Sequence, residues 1–510
     1  MSDISENNKR IAKNTMFLYF RMLIFLFVGL FTARVTVNAL GVHDYGLLGV
    51  VGGVMGFMGY FSGLLSQGTS RFLTVGLGRG DMRKLRDVFS ACGTIHIALA
   101  LVTLLIGETI GLWFVNNKLV IDAERMFAAN YVYQLSLFSC FLGITQTPYM
   151  ATIIAHEKMS TFAFMSIFDV TAKLLVVCLL LYVDADKLII FSSFYFVVGI
   201  ITFLMYRIYC LRKFEECNMR WYWDSKLYKD IWNYVGWNSI GTFAFMANNQ
   251  GFTILLNMFF SNIVNAARGI ATTVSSHVNG FVTNFQQAVN PQTMKYYAVG
   301  DFDSMNRLIC NNAKYSSYLL MLVGLPVFME TEFLIRIWLG HVPEYVVPFI
   351  RVTLVECFFR AIDFPIGSGI HAFGRMKLPN ITSSIVYLSA LPIVYVALSL
   401  GTSPVLAYII VCIVYPFALG FDLWILKKYS NFAVSTYLRE VPFKSTLMIL
   451  CASFIPYVLT EIMEAGWMRL CLTVPVCVLV SSILILFVGL DRRMRGKVFA
   501  KVQNVIMYKR

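Results

Sequence analysis

The chain has 510 residues, 58% of them hydrophobic and only 14% charged, with a mean hydropathy of +0.68. Soluble globular domains run nearer a quarter charged, so this composition excludes a soluble enzyme and points to an integral membrane protein. The net charge of +14 is read as membrane topology rather than nucleic-acid binding, because Lys and Arg gather on the cytoplasmic side of multi-pass chains.

The opening residues MSDISENNKRIAKN are polar. The apolar stretch after them is far longer than a signal-peptide core and shows no small-residue cleavage site, so it reads as an uncleaved first span. Runs long enough to cross about 30 Å of hydrocarbon recur near residues 15–38, 46–66, 87–115, 126–150, 161–183, 188–209 and 232–258. They continue at 263–289, 314–337, 346–370, 380–400, 404–426, 445–461 and 468–489. The expected fold is therefore all-α, with fourteen transmembrane helices and both termini cytoplasmic. That count places Arg79/Arg83/Lys84/Arg86, Arg212/Lys213/Arg220, Lys427/Lys428/Arg439/Lys444 and Arg492/Arg493/Arg495/Lys497 inside. Lys118, Arg125, Lys187 and Arg469 fall outside. The eleven cysteines lie mostly in apolar segments without a CxxC pair and read as buried filler. No metal or cofactor is expected.

An internal repeat organises the spans. PYMATIIAHEKM around Pro148 matches PIGSGIHAFGRM around Pro365 at a shift of 217, aligning Lys158 with Arg375. Gly80-Asp81 aligns with Gly300-Asp301 at a shift of 220. A six-span unit used twice runs in the same membrane orientation, a parallel repeat that places a substrate site between the lobes. The expected divisions are a lobe over 1–210, an interfacial linker over 211–231, a second lobe over 232–428, and accessory helices with a basic tail over 429–510. The linker mixes Lys and Arg with Trp221, Tyr222, Trp223 and Tyr228, a composition suited to the headgroup level. The last two spans carry no charge in their cores and read as an accessory pair facing lipid.

The eighth span breaks the apolar pattern. Asn265, Arg268, Thr272, Ser275, Asn279, Thr283, Gln286 and Asn290 recur at steps of three or four, one polar stripe along a helix. The seventh adds Asn238, Thr242, Asn249, Thr253 and Asn257. Such stripes serve either interhelical hydrogen bonding or a water-filled cavity, and the full-length stripe favours the cavity. The second span instead lines one face with Gly46, Gly49, Gly52, Gly56, Gly59 and Gly63, which suits close helix packing.

Charges inside the spans sort by spacing. Asp169–Lys173, Glu356–Arg360 and Glu332–Arg336 are acid-first pairs at i,i+4 and read as self-neutralised; Asp363 is also placed to reach Arg360. Lys314 and Arg351 are near enough to span ends to snorkel. Arg21, Arg34 and Arg268 have no acid at helical spacing. On an ideal helix Arg21 and Arg34 point about 140° apart and lie roughly 20 Å apart, so Arg21 is the firmer cavity residue and Arg34 has Asp44 as an alternative partner. A cavity with excess positive charge suits an anion, and the planar guanidinium fork suits phosphate.

The stretch NTMFLYFRMLIFLFVGLFTARVTVNALGVHDYGLLGVVGG, followed by TSRFLTVGLGRGD, NFQQAVNPQTMKYYAVGD and HAFGRMK, resembles bacterial O-antigen and capsule repeat-unit flippases. These are Wzx-type polysaccharide transporters of the MOP exporter superfamily. The resemblance implies two six-helix lobes and two extra helices around a central cavity. It also implies export of an undecaprenyl-diphosphate-linked oligosaccharide across the bacterial inner membrane, alongside a polysaccharide polymerase and a chain-length regulator. The cationic cavity it implies falls on Arg21, Arg34 and Arg268, with Asn249, Thr272, Asn279 and Gln286 facing the glycan and Tyr19 or Tyr60 available for stacking on sugar rings.

Two other readings stay open. A cation-coupled drug exporter of the same superfamily needs an unpaired acid within the membrane, for which Asp422 and Glu108 are candidates. A membrane-embedded glycosyltransferase or polymerase needs a large extramembrane loop, and every outer loop is short. HExxH, Walker A and nucleophile-elbow patterns are absent from the sequence, so a non-enzyme is expected.

Overall fold

A computed structural model describes residues 13–25, 27–29, 31–32, 35–36, 39–40, 44, 66, 68–117, 121, 123–182, 185–220, 222–260, 262–340, 342–492 and 494–496. The second expected span with its glycine face, Tyr60 and Arg34 lies outside the described residues.

The expected spans from the third to the fourteenth fall on helices, the ninth on two consecutive ones. The helices are α1 (Met82–Asn117), α2 (Met126–Ala155), α3 (Met159–Tyr182), α4 (Lys187–Lys213), α5 (Ser225–Phe259), α6 (Asn262–Ala298) and α7 (Phe302–Met329). Then come α8 (Thr331–Leu339), α9 (Val346–Phe373), α10 (Lys377–Ser399), α11 (Pro404–Ser430), α12 (Val434–Ile462) and α13 (Trp467–Gly489). Among the described residues, eight are long and apolar enough to cross a membrane, or nine if α7 and α8, bent by 72°, form one span. The long helices α5, α6 and α9 are not among the eight, and they hold the polar stripes and the Glu356–Asp363 charges. The protein is an all-α membrane protein. Its outward faces are apolar, as at Leu101, Leu105, Phe417 and Leu450, each more than half exposed, which suits hydrocarbon as solvent.

Local chemistry sets the helix ends. Gly80 takes a φ of 72° before Asp81, whose side chain accepts from the Lys84 N–H and caps α1. Asp186 caps α4 through Leu188 and Ile189. Ser403 caps α11 with Pro404 in its first turn. The left-handed residues also repeat: Gly80 and Gly300 (φ 72° and 77°) sit at the 220 shift, and Glu157 and Gly374 (φ 58° and 70°) at the 217 shift. Pro148 and Pro365 both lie inside helices, near the ends of α2 and α9.

Chain contacts divide the protein into two compact units, Met1–Ser239 with Met294–Asp301, and Ile240–Thr293 with Phe302–Arg510. In the first, α1, α2 and α4 bury Val115, Val132, Tyr133, Leu137 and Leu188. In the second, α5, α6, α9 and α11 close around Phe252, Ala271, Phe349 and Val411. The accessory helices α12 and α13 belong to the second unit. They pack on α7 through Met448, Ala452 and Cys477, through a 2.7 Å bond between the Ser317 and Ser445 hydroxyls, and through the Tyr318 hydroxyl donating to the Gly489 carbonyl at 3.2 Å. The side of this pair turned away from α7 is apolar and exposed, as at Phe454 and Leu479, while its other side is fastened by these polar contacts.

Candidate functional site

The first unit contains a cavity of about 540 Å³ lined by its first helix and by α2, α3 and α4. Arg21 enters from the first helix, half-buried, its guanidinium 4.6 Å from the Phe162 ring and 5.4 Å from the Phe25 ring. Aromatic faces hold a cation in an apolar setting without neutralising it. From α3 come Asp169 and Lys173, 2.8 Å apart. Asp169 also accepts from the Thr202 hydroxyl at 3.1 Å, so this carboxylate is engaged by α3 and α4. Ser136, Ser139, Gln146, Ser166 and Tyr206 add polar atoms to the wall. With Arg21 and Lys173 against Asp169, the lining is net cationic. It offers a guanidinium fork, hydroxyls and aromatic rings together, which can receive an anionic group attached to a polar, ring-bearing body.

Arg268 sits differently. It is only 6% exposed, in the second unit, with its guanidinium over the Phe252 ring at 4.6 Å. It donates to the Thr253 hydroxyl and, at 3.4 Å, to the Asn249 side-chain Oδ1. Arg268 thus closes α6 onto α5, and Asn249 is one of its partners. Asn279 donates to the Cys357 sulfur at 3.1 Å, and Gln286 to the Ser316 hydroxyl and the Ala361 carbonyl at 3.0 and 2.9 Å. Interhelical hydrogen bonding therefore takes up Arg268, Asn279 and Gln286 of the stripe, while Thr272 stays exposed.

The second unit instead gathers acids. Glu356 accepts from the Tyr415 hydroxyl at 2.8 Å and lies 3.5 Å from Arg360, whose guanidinium also faces the Phe245 ring at 5.7 Å. The expected reach of Asp363 to Arg360 is corrected: among the described residues it makes no ion pair there, because the guanidinium turns toward Glu356. Asp363 Oδ1 has no hydrogen-bond partner among the described residues, and its carboxyl lies within electrostatic reach of Asp422 on α11. Lys314 does not snorkel; its side chain is 7% exposed and lies 3.6 Å from Glu440 and 3.7 Å from Asp491. Arg351 is exposed, over the Phe328 ring at 5.4 Å. Asp44 is held by Arg125, which also pairs with Asp186 at 2.8 Å.

Several charged residues escaped the spacing argument. Arg71 is 8% exposed between the Phe72 and Tyr234 rings. Glu330 is fully buried and receives Arg469 at 2.9 Å. Tyr234 and Arg469 come from distant parts of the chain, so helical spacing carried no signal for these contacts.

No family model matches this sequence, and no curated protein does. Solved structures do. One is a MATE protein in a bent conformation, with a TM-score of 0.73 at 12% identity over 83% of this chain and 97% of that one. Another is an outward-facing multidrug resistance MATE family transporter of the MOP superfamily, with a TM-score of 0.67 at 13% identity over 83% and 96%. A mutant of the Vibrio cholerae MATE transporter VcmN matches with a TM-score of 0.66 at 12% identity over 84% and 98%. At such identities the likeness is one of fold: the chain has the fold of MATE transporters.

Proposed function

We propose that this membrane protein is an alternating-access exporter of an anionic amphiphile, an undecaprenyl-diphosphate-linked oligosaccharide of the O-antigen or capsule class. In this reading it resides in the bacterial inner membrane with both termini cytoplasmic, and it works beside the polymerase and chain-length regulator that use the exported unit. The observation that carries the reading is the net-cationic cavity of the first unit, with Arg21 flanked by aromatic rings and surrounded by hydroxyls. A phosphate accepts paired hydrogen bonds from the guanidinium fork. Sugar hydroxyls exchange bonds with Ser139, Gln146 and Ser166, and a sugar ring stacks on Phe162 or Tyr195. Arg34 is proposed as a further cation on the same first span. Arg268 acts through the packing of α5 against α6 rather than by touching the substrate. The exporter role requires no covalent chemistry, consistent with a fold shared with transporters.

The test is the lipid-linked species that accumulates on the cytoplasmic leaflet when the protein is removed. An undecaprenyl-diphosphate oligosaccharide supports the reading, and unchanged lipid-linked pools with altered drug efflux overturn it.

The Asp363–Asp422 pair favours a second reading, a cation-coupled exporter. Ionisable acids inside membrane-spanning helices mark pathways for protons and metal cations. Cation coupling is compatible with an anionic substrate in the first unit. It becomes the main reading if the cargo proves to be a cationic drug.

A further inference from the structure

A second depression on the first unit is built quite unlike the Arg21 cavity. It is a groove of about 590 Å³ along α3 and α4. Ile201, Leu204, Met205 and Ile208 form its wall, spaced at helical steps on one face of α4, and Met165 of α3 lies against them. Ile201, Leu204 and Ile208 are 41%, 42% and 46% exposed, so this face lies open. Arg212 and Lys213 terminate the groove, both exposed and without an ion pair among the described residues. Tyr209 stands between the apolar wall and the two cations, its hydroxyl 3.2 Å from that of Thr161. The adjacent acids do not cancel this charge: Glu216 is buried on His156 at 2.5 Å, and Glu215 is exposed to solvent. From Ile201 to Arg212 the helix rises about 16 Å, close to half of the roughly 30 Å hydrocarbon core.

We infer that this groove holds one anionic phospholipid, with an acyl chain along Ile201 to Ile208 and its phosphate on Arg212 and Lys213. The apolar wall is one leaflet deep and ends where headgroups begin, and the end carries two cations without an ion pair among the described residues. Arg offers a fork and Lys a mobile point charge, so together they clamp one phosphate from two directions. A tyrosine at the boundary suits the amphipathic zone between chains and headgroups. Basic sites at the membrane surface beside transmembrane helices recognise lipids by this combination. A zwitterionic lipid fits the wall equally well but brings its own ammonium to the cations and gains little from them. Complementing the dipole at the end of α4 needs the two cations but no groove. The inference requires only that the protein spans a membrane, and stands apart from the identity of the cargo.

Native mass spectrometry of the full chain in detergent tests it, titrated with phosphatidylglycerol and with phosphatidylcholine of the same acyl chains. The expected result is one retained phosphatidylglycerol and no retained phosphatidylcholine. Arg212→Gln with Lys213→Gln should weaken that lipid roughly 30-fold, equivalent to about 2 kcal/mol at about 1 kcal/mol per cation. Leu204→Trp, which fills the groove and keeps both cations, should weaken it as well. Glycerol phosphate alone should not compete. Equal retention of the two lipids, an unchanged affinity in both variants, or displacement by glycerol phosphate would each overturn the inference.

Discussion

Lys295 and Glu157 lie 138 positions apart in sequence, yet the Lys295 Nζ is 2.6 Å from the Glu157 Oε1. Glu157 is 2% exposed at the side chain and holds a left-handed φ of 58°, where the equivalent position of the second half carries Gly374. A non-glycine residue there costs roughly 1–3 kcal/mol unless its surroundings hold it. The ammonium is one of the contacts that hold it, and it fastens the end of α6 within the first unit, to which residues 294–301 belong.

Lys295→Met should therefore destabilise the protein by about 3–5 kcal/mol, because it leaves a buried carboxylate without its counter-charge. The unfolding midpoint in detergent measures this. Glu157→Gly with Lys295→Met should recover much of the loss, since glycine removes both the charge and the strain. An unchanged midpoint in the single variant would mean that the pair does not fasten α6.

Glu330 and Arg469 supply a second buried pair, at the bend between α7 and α8. Arg469→Met alone should cost about 3–5 kcal/mol, and Glu330→Gln with Arg469→Met clearly less than the two single changes summed. A double-mutant cycle on thermal stability reads the coupling. Additive effects would show that Arg469 holds the accessory helices by its carbonyl contacts to Thr460 and Met463 alone.

Arg268→Ala should act on folding. It strands the Thr253 and Asn249 partners and removes a ring-stacked cation, a loss of about 2–3 kcal/mol at 1.5–3 kcal/mol for a charged hydrogen bond. Protein level and melting temperature should fall, with export per folded molecule near wild type. Loss of export at normal protein level would place Arg268 on the substrate instead.

Much of the helical layout was legible from hydropathy over about twenty residues, while the more polar α5, α6 and α9 fall short of it and were placed with the help of the alternation of Lys and Arg. Helical spacing likewise sets Asp169 beside Lys173, which are 2.8 Å apart. It failed where a partner comes from another helix. Arg268 lacks a nearby acid in sequence, yet meets Thr253, Asn249 and Phe252 across α5. Lys314 lies within an apolar run, yet meets Glu440 and Asp491 from chain more than a hundred residues away. Asp363 is three residues from Arg360, yet the guanidinium chose Glu356. Spacing describes one helix at a time, and these contacts are decided between helices.

If a cation couples to export, Asp363→Asn should abolish dependence on a proton or sodium gradient in proteoliposomes while substrate binding persists. Asp422→Asn should do the same, because the carboxyls act as a pair. Retained gradient dependence in both variants would remove the second unit's acids from energy coupling.

The most direct measurement is export of the lipid-linked oligosaccharide by Arg21→Ala, normalised to inserted protein. One charge-assisted Arg–phosphate bond contributes about 1.5–3 kcal/mol, so export at limiting substrate should fall roughly 10- to 150-fold. Arg21→Lys should restore only part of it, because a point charge keeps the attraction and loses the fork. Wild-type export by Arg21→Ala at a normal protein level would contradict the claim that the first unit's cavity receives the anionic cargo.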